Sequence, residues 1–266
     1  MKKILQVSNG VALLATIFIN YLSNTGALNN TTIGEISKDI NSLFTPAGYA
    51  FAIWGFIYLL LSGFIIYQGR SLFVKVRNDD FVLRIGWWFV ISCIANSGWV
   101  LLWIYGYTGL SCIFIFLLLF SLLKIVTNND MELWDAPISV IALLWWPFVF
   151  YSGWVAVASI ANVSAFLTKI GWNGFGMSDV AWTVFMIILA LLINLIVTWT
   201  RNMREFALVG AWALIAIAVA NYQKVSIITY VASVAAAILI ISSLIHGYKN
   251  RATSPMVKCK EYFSKN

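Results

Sequence analysis

The sequence predicts an all-α, polytopic membrane protein with about eight transmembrane helices. Three observations carry this. Of 266 residues, 61% are apolar and only 10% are charged, and the mean hydropathy is +0.87. A soluble domain carries roughly 25% charged residues, so this chain lacks the solvating groups to cover a water-facing surface. The apolar residues also fall into long runs, several of them near the roughly 20 residues that a helix needs to cross the hydrocarbon core. A soluble enzyme, a disordered regulator and a secreted disulfide scaffold are excluded on these grounds.

The expected spans are approximately 4–22, 46–68, 81–105, 108–126, 137–167, 178–200, 205–221 and 225–247. The first is interrupted by Gln6, Ser8 and Asn9. Lys2-Lys3 before an apolar run resembles a signal peptide, but the polar interruptions and the lack of a small-x-small site favour a retained helix. Pro46 suits the first turn of the second span, where a missing N–H costs nothing. The fifth run is longer than one crossing needs and contains Pro147; the seventh is short.

Charge sets the direction. With odd-numbered gaps on one side, that side receives only Lys38, Lys169 and Lys224. The termini and even-numbered gaps take the other fourteen of the 17 basic residues, Arg77 and Lys265 among them. The positive-inside rule then places both termini in the cytoplasm. The net charge of +7 follows from topology and anionic lipid, with no nucleic-acid partner implied.

Chemistry is sparse. All ten acidic residues lie in gaps or at helix edges, unlike the buried ionisable groups of ion-coupled pumps. His246 is the only histidine, so no metal site is expected. Cys93, Cys112 and Cys259 lack ligand spacing and are expected as free thiols. Phosphate-binding and nucleophile motifs are missing, and no catalytic residue is assigned.

The informative residues are aromatic. Thirteen Trp are present, several too deep within apolar runs for an interfacial belt. Phe51, Trp54 and Tyr58 share one helix side, with Tyr49 just before them; Asn96, Trp99 and Trp103 share another. Tyr151, Trp154, Ala158 and Asn162 follow Trp146-Pro147-Phe148 at helical spacing. Each stripe alone is explained by helix packing with amide glue. Together they suggest a cavity for a flat apolar ligand with polar edges.

In order and placement these motifs resemble the TspO/MBR family, the tryptophan-rich sensory and translocator proteins. Its proline-led second helix corresponds to Pro46–Tyr58, its Asn-x-x-Trp to Asn96 and Trp99, and its fifth-helix Pro, Trp and Asn to Pro147, Trp154 and Asn162. Ala47 stands where family members usually carry a second proline. The resemblance covers residues 1–167 and implies a five-helix bundle there, with an accessory three-helix region at 168–247 and a basic tail at 248–266. It implies a pocket covered by the first loop, with Trp54, Asn96, Trp154 and Ala158 inside it and Tyr49, Phe51 and Tyr58 beside it; Trp99 and Asn162 complete the candidate set. The implied ligand is a porphyrin-like tetrapyrrole or a sterol-like hydrophobe, with no obligatory cofactor. Lipid and a second copy of the chain are the implied partners, and a bacterial plasma membrane the implied location. Sensing, transport and tetrapyrrole degradation are all activities proposed for the family. A permease component and a structural subunit without a ligand are the competing readings.

Overall fold

The computed structural model describes residues 1–76 and 79–264; Arg77 and Lys265 of the charge reading lie outside them. Among the described residues every regular element is helical. Seven helical segments are long and apolar enough to span a membrane, and an eighth, Trp88–Ile104, is apolar but shorter. The chain is a polytopic helical membrane protein, and among the described residues these seven candidate spans and the shorter apolar helix lie where the hydropathy indicates.

The helices are α1 (Lys2–Asn24), α2 (Ile33–Ile40), α3 (Ile53–Gly69), α4 (Phe81–Ile85), α5 (Trp88–Ile104), α6 (Thr108–Asn128), α7 (Ile138–Val140), α8 (Trp146–Lys169), α9 (Asp179–Arg201), α10 (Arg204–Asn221), α11 (Ser226–Lys249) and α12 (Pro255–Ser264). Eight crossings bring both termini to one end of the bundle. Lys2 pairs with Asp79 and Lys258 with Asp135 at that end. The opposite end carries α2 and the links after α5, α8 and α10.

Three details refine the expected spans. The third is broken at Gly86, whose φ of 55° and ψ of −138° separate α4 from α5. The fifth is continuous: a π-helical turn at Ile141–Trp145 joins α7 to α8 just ahead of Pro147. A proline supplies no N–H to the helix ladder, and a widened turn accommodates the gap. Pro46 does not begin a helix. The 3₁₀ turn opening the second span starts at Gly48, after Ala47, whose ψ of 145° is not helical and whose N–H donates to Ala216 O on α10 at 3.0 Å.

The polar residues that interrupt the first span form its packing face. Asn9 Nδ2 donates to Gln68 Oε1 at 3.0 Å, Thr16 Oγ1 to Cys93 O at 3.2 Å, and Asn20 Nδ2 to Asn96 Oδ1 at 2.8 Å. In hydrocarbon such amides and hydroxyls hold helix to helix, here α1 to α3 and α5.

The seventh span is the interior one. In α10, as in α8, 67% of the hydrophobic window is buried within the protein, against 22% for α9. Small residues let its neighbours approach closely. A Cβ on Gly153 of α8 would sit 3.0 Å from Phe206 O of α10, and one on Gly210 would overlap Asn194 Oδ1 of α9.

Candidate functional site

Helix α2 seals the end of the bundle opposite the termini. Thr32 and Glu35 form a reciprocal capping box that starts it. Ile33, 2% exposed, and Phe44, fully buried, plug it into the core. Trp103 Nε1 donates to Ile33 O at 3.3 Å, and Ser42 and Ser164 share a hydroxyl hydrogen bond of 2.7 Å.

Beneath this lid, Phe51, Trp99, Trp103, Trp154, Ala158 and Asn162 surround a cavity of about 50 Å³. Five of them are candidate residues from the sequence, and Trp103 shares the Asn96–Trp99 face. Two further wall residues, Ala213 and Ile217, come from α10. A second hollow of about 470 Å³ adjoins it and shares Ser37, Thr45, Pro46 and Phe51. Those four residues therefore separate an inner chamber from an outer mouth.

The other candidates lie around the chamber. Trp54 does not line it. Its ring stacks on Tyr58 at 5.7 Å and meets Trp154 edge-on at 6.3 Å and Tyr151 at 5.7 Å. Asn96 is fully buried, with both ends engaged: Oδ1 accepts from Asn20, and Nδ2 donates to the Tyr151 hydroxyl at 2.9 Å. Tyr49 is 43% exposed and packs edge-on against Trp212 at 5.3 Å. Asn162 accepts the Trp99 indole N–H at 2.7 Å and donates to Ser111 at 2.9 Å, which fixes the Trp99 ring against the chamber.

The indole N–H groups of Trp154 and Trp54 have no partner among the described residues, although these residues are only 3% and 7% exposed. Buried donors are nearly always satisfied, and an unpaired one costs about 1–3 kcal/mol. Of the unpaired indoles only that of Trp154 belongs to a chamber-lining residue; Trp54, Trp145 and Trp146 line neither hollow.

Sequence reasoning missed α10. Besides its two wall residues, Trp212 Nε1 donates to Ala50 O at 3.2 Å and Asn221 Nδ2 to Leu43 O at 2.9 Å. These bonds, with the one from Ala47, tie residues 43–50 to α10. The only sequence signal was the excess of Ala and Gly between 207 and 220, which reads equally as lipid-facing filler.

A larger hollow, about 630 Å³, lies between α6, α8 and α9 and shares Asn41, Ser42 and Leu43 with the mouth. Phe116, Phe185 and Leu189 on its flanks are exposed on the outer surface, so it opens laterally to hydrocarbon. Ser159, Thr168 and Thr183 along it bond their own helix carbonyls.

At the end that carries the termini, Glu132, Arg204 and His246 border a small cavity of about 70 Å³, with Glu205 close by. Burial, then the nearby charge of Glu205, push the Glu132 carboxyl up to about 8. Glu205 pairs with Arg204 at 3.1 Å.

A helical membrane bundle with an aromatic chamber beneath an interhelical lid defines a class of tryptophan-rich membrane protein. The chain belongs to the TSPO-like family: the family model described as TSPO-like protein matches residues 6–245. The match runs well beyond residue 167 into α11, so the last three spans are part of the family pattern. No curated protein and no solved structure matches the chain.

Proposed function

We propose that this protein binds a flat, apolar ligand of the tetrapyrrole type between the 44–51 segment, α5, α8 and α10, beneath α2, for sensing or transport. The observation that carries the reading is the unpaired N–H of Trp154 at the chamber wall. A ligand with ring acceptors satisfies such donors while its faces stack on Trp99 and Trp154. The roles then divide. Trp154, Trp99, Phe51 and Ala158 touch the ligand, Asn162 fixes Trp99, and Asn96 with Tyr151 holds the Trp54–Tyr58 stack behind them.

Ligand pockets of this kind occupy about 300–1,000 Å³. The chamber alone is far smaller, whereas the chamber joined to its mouth is of that order. Binding therefore requires the Thr45–Pro46–Phe51 partition to swing aside, and α2 is the element that moves with it. The basic-residue distribution places the termini in the cytoplasm and the mouth on the outer side.

Quenching of tryptophan fluorescence by a porphyrin tests this in the purified full chain. Saturable quenching that weakens by about tenfold or more in Trp154→Phe supports the reading. Unchanged affinity in both Trp154→Phe and Trp54→Phe defeats it.

A further inference from the structure

The outer mouth has a chemistry of its own. It is bounded by α2, the 41–48 segment and the α10–α11 link, and two cations border it: Lys38 on α2 and Lys224 after α10. They are two of the three basic residues at this end of the molecule. Both are exposed, and neither takes part in an ion pair among the described residues. The one carboxylate on the mouth, Glu35, is already engaged. Its Oε2 accepts from the Thr32 N–H at 2.8 Å and from the hydroxyls of Thr32 and Thr31 at 3.0 and 3.3 Å. Asp39, next in sequence to Lys38, lines neither hollow.

Below this rim the polarity reverses to indole, phenyl and alkyl groups. We infer that the mouth reads negative charge: Lys38 and Lys224 hold the carboxylate of an amphiphile whose flat apolar body enters the chamber. The ligand class is an aromatic or macrocyclic carboxylic acid, oriented acid-outward. This rests on the proposed chamber and adds which end of the ligand enters first. Lys224 belongs to the chain's last three spans, so this recognition uses the α10–α11 link as well as the lid.

Two exposed cations at a water-facing rim contribute modestly, and salt screens them. The test uses the full-length protein in a detergent with an uncharged headgroup, with protoporphyrin IX and its dimethyl ester as probes. The two share one ring and differ in the carboxylates. The wild type should favour the acid over the ester by about three- to tenfold at low salt, and the margin should shrink at high salt. The double variant Lys38→Gln/Lys224→Gln should bind the acid no better than the ester. Lys169→Gln, which removes the same charge from the same end but outside the mouth, should keep the preference. Equal wild-type affinity for the two probes overturns the inference and leaves the chamber reading intact, as does a preference that survives in the double variant. Failure of both probes to bind the wild type overturns the chamber reading and this inference together.

Discussion

Helices α8 and α10 are equally buried, yet they fill the interior by opposite means. α8 brings Phe148, Tyr151 and Trp154 to the core; α10 brings Ala207, Gly210, Ala211, Ala213 and Ala216. The aromatic helix supplies shape and stacking faces. The small-residue helix supplies proximity, allowing backbone carbonyls and single methyl groups to reach the chamber and the segment leading into α3. A binding wall needs both, and only the first announces itself in a sequence.

The comparison can be broken most severely where the two helices touch. Gly153→Leu places a side chain against the α10 backbone at Phe206, which cannot yield as a flexible side chain would. Overpacking of this kind costs about 1–3 kcal/mol or more. The variant should melt several degrees lower in detergent than the wild type, or fail to yield monodisperse protein. A melting temperature within a degree of wild type would show that α8 and α10 are not in close contact.

Next in size is the aromatic side of the wall. Trp154→Phe keeps a ring but removes the unpaired donor and part of the stacking face, and porphyrin affinity should fall about tenfold, near 1.4 kcal/mol. Tyr151→Phe removes only the hydroxyl that Asn96 holds and should cost less, about two- to fourfold.

The other end of α10 gives a pH test. The Glu132 carboxyl in the fold sits at about 8 rather than near its ordinary 4.5. Its raised value means that the folded protein favours the protonated form. Stability should therefore fall as pH rises from about 4.5 to about 8 and level off above that. Glu132→Gln should flatten this part of the profile without changing porphyrin affinity, since the residue lies at the end opposite the chamber. A profile of the same slope in the variant would assign the pH dependence to another group. The smallest effect is expected from Trp182→Ala. It borders the large lateral groove, and its loss should change porphyrin affinity by less than about twofold in the quenching assay. A tenfold loss would move the ligand site to that groove.

Much of this architecture was legible beforehand, and the reasons are physical. Hydrophobic length is a local property, so all eight spans stand out, and the spacing of Phe51, Trp99, Trp154, Ala158 and Asn162 brings them to one chamber because helical periodicity is also local. Less legible was whatever depends on which helix lies next to which. Trp54 and Asn96 carry the same spacing signal as Trp99 but face a neighbouring stack and the α1 amides. Gln6 and Asn9 lower the hydropathy of α1 because they bond to α3, a partner some 60 residues away. Pro46 lies ahead of its helix, where the extended Ala47 donates its N–H to a carbonyl of α10. Most of all, Ala213 and Ile217 have no motif to mark them; their importance comes from position alone.

The central claim is that α10 is a wall of the binding site as well as a packing layer. Ala213→Phe tests it most directly, because Ala213 borders the chamber and a phenyl group there would project into a space of only about 50 Å³. Measured by fluorescence quenching on protein shown to be folded by its melting curve, the variant should bind porphyrin at least tenfold more weakly than the wild type. Wild-type affinity in a folded Ala213→Phe protein would contradict the account and return the site to the first five spans alone.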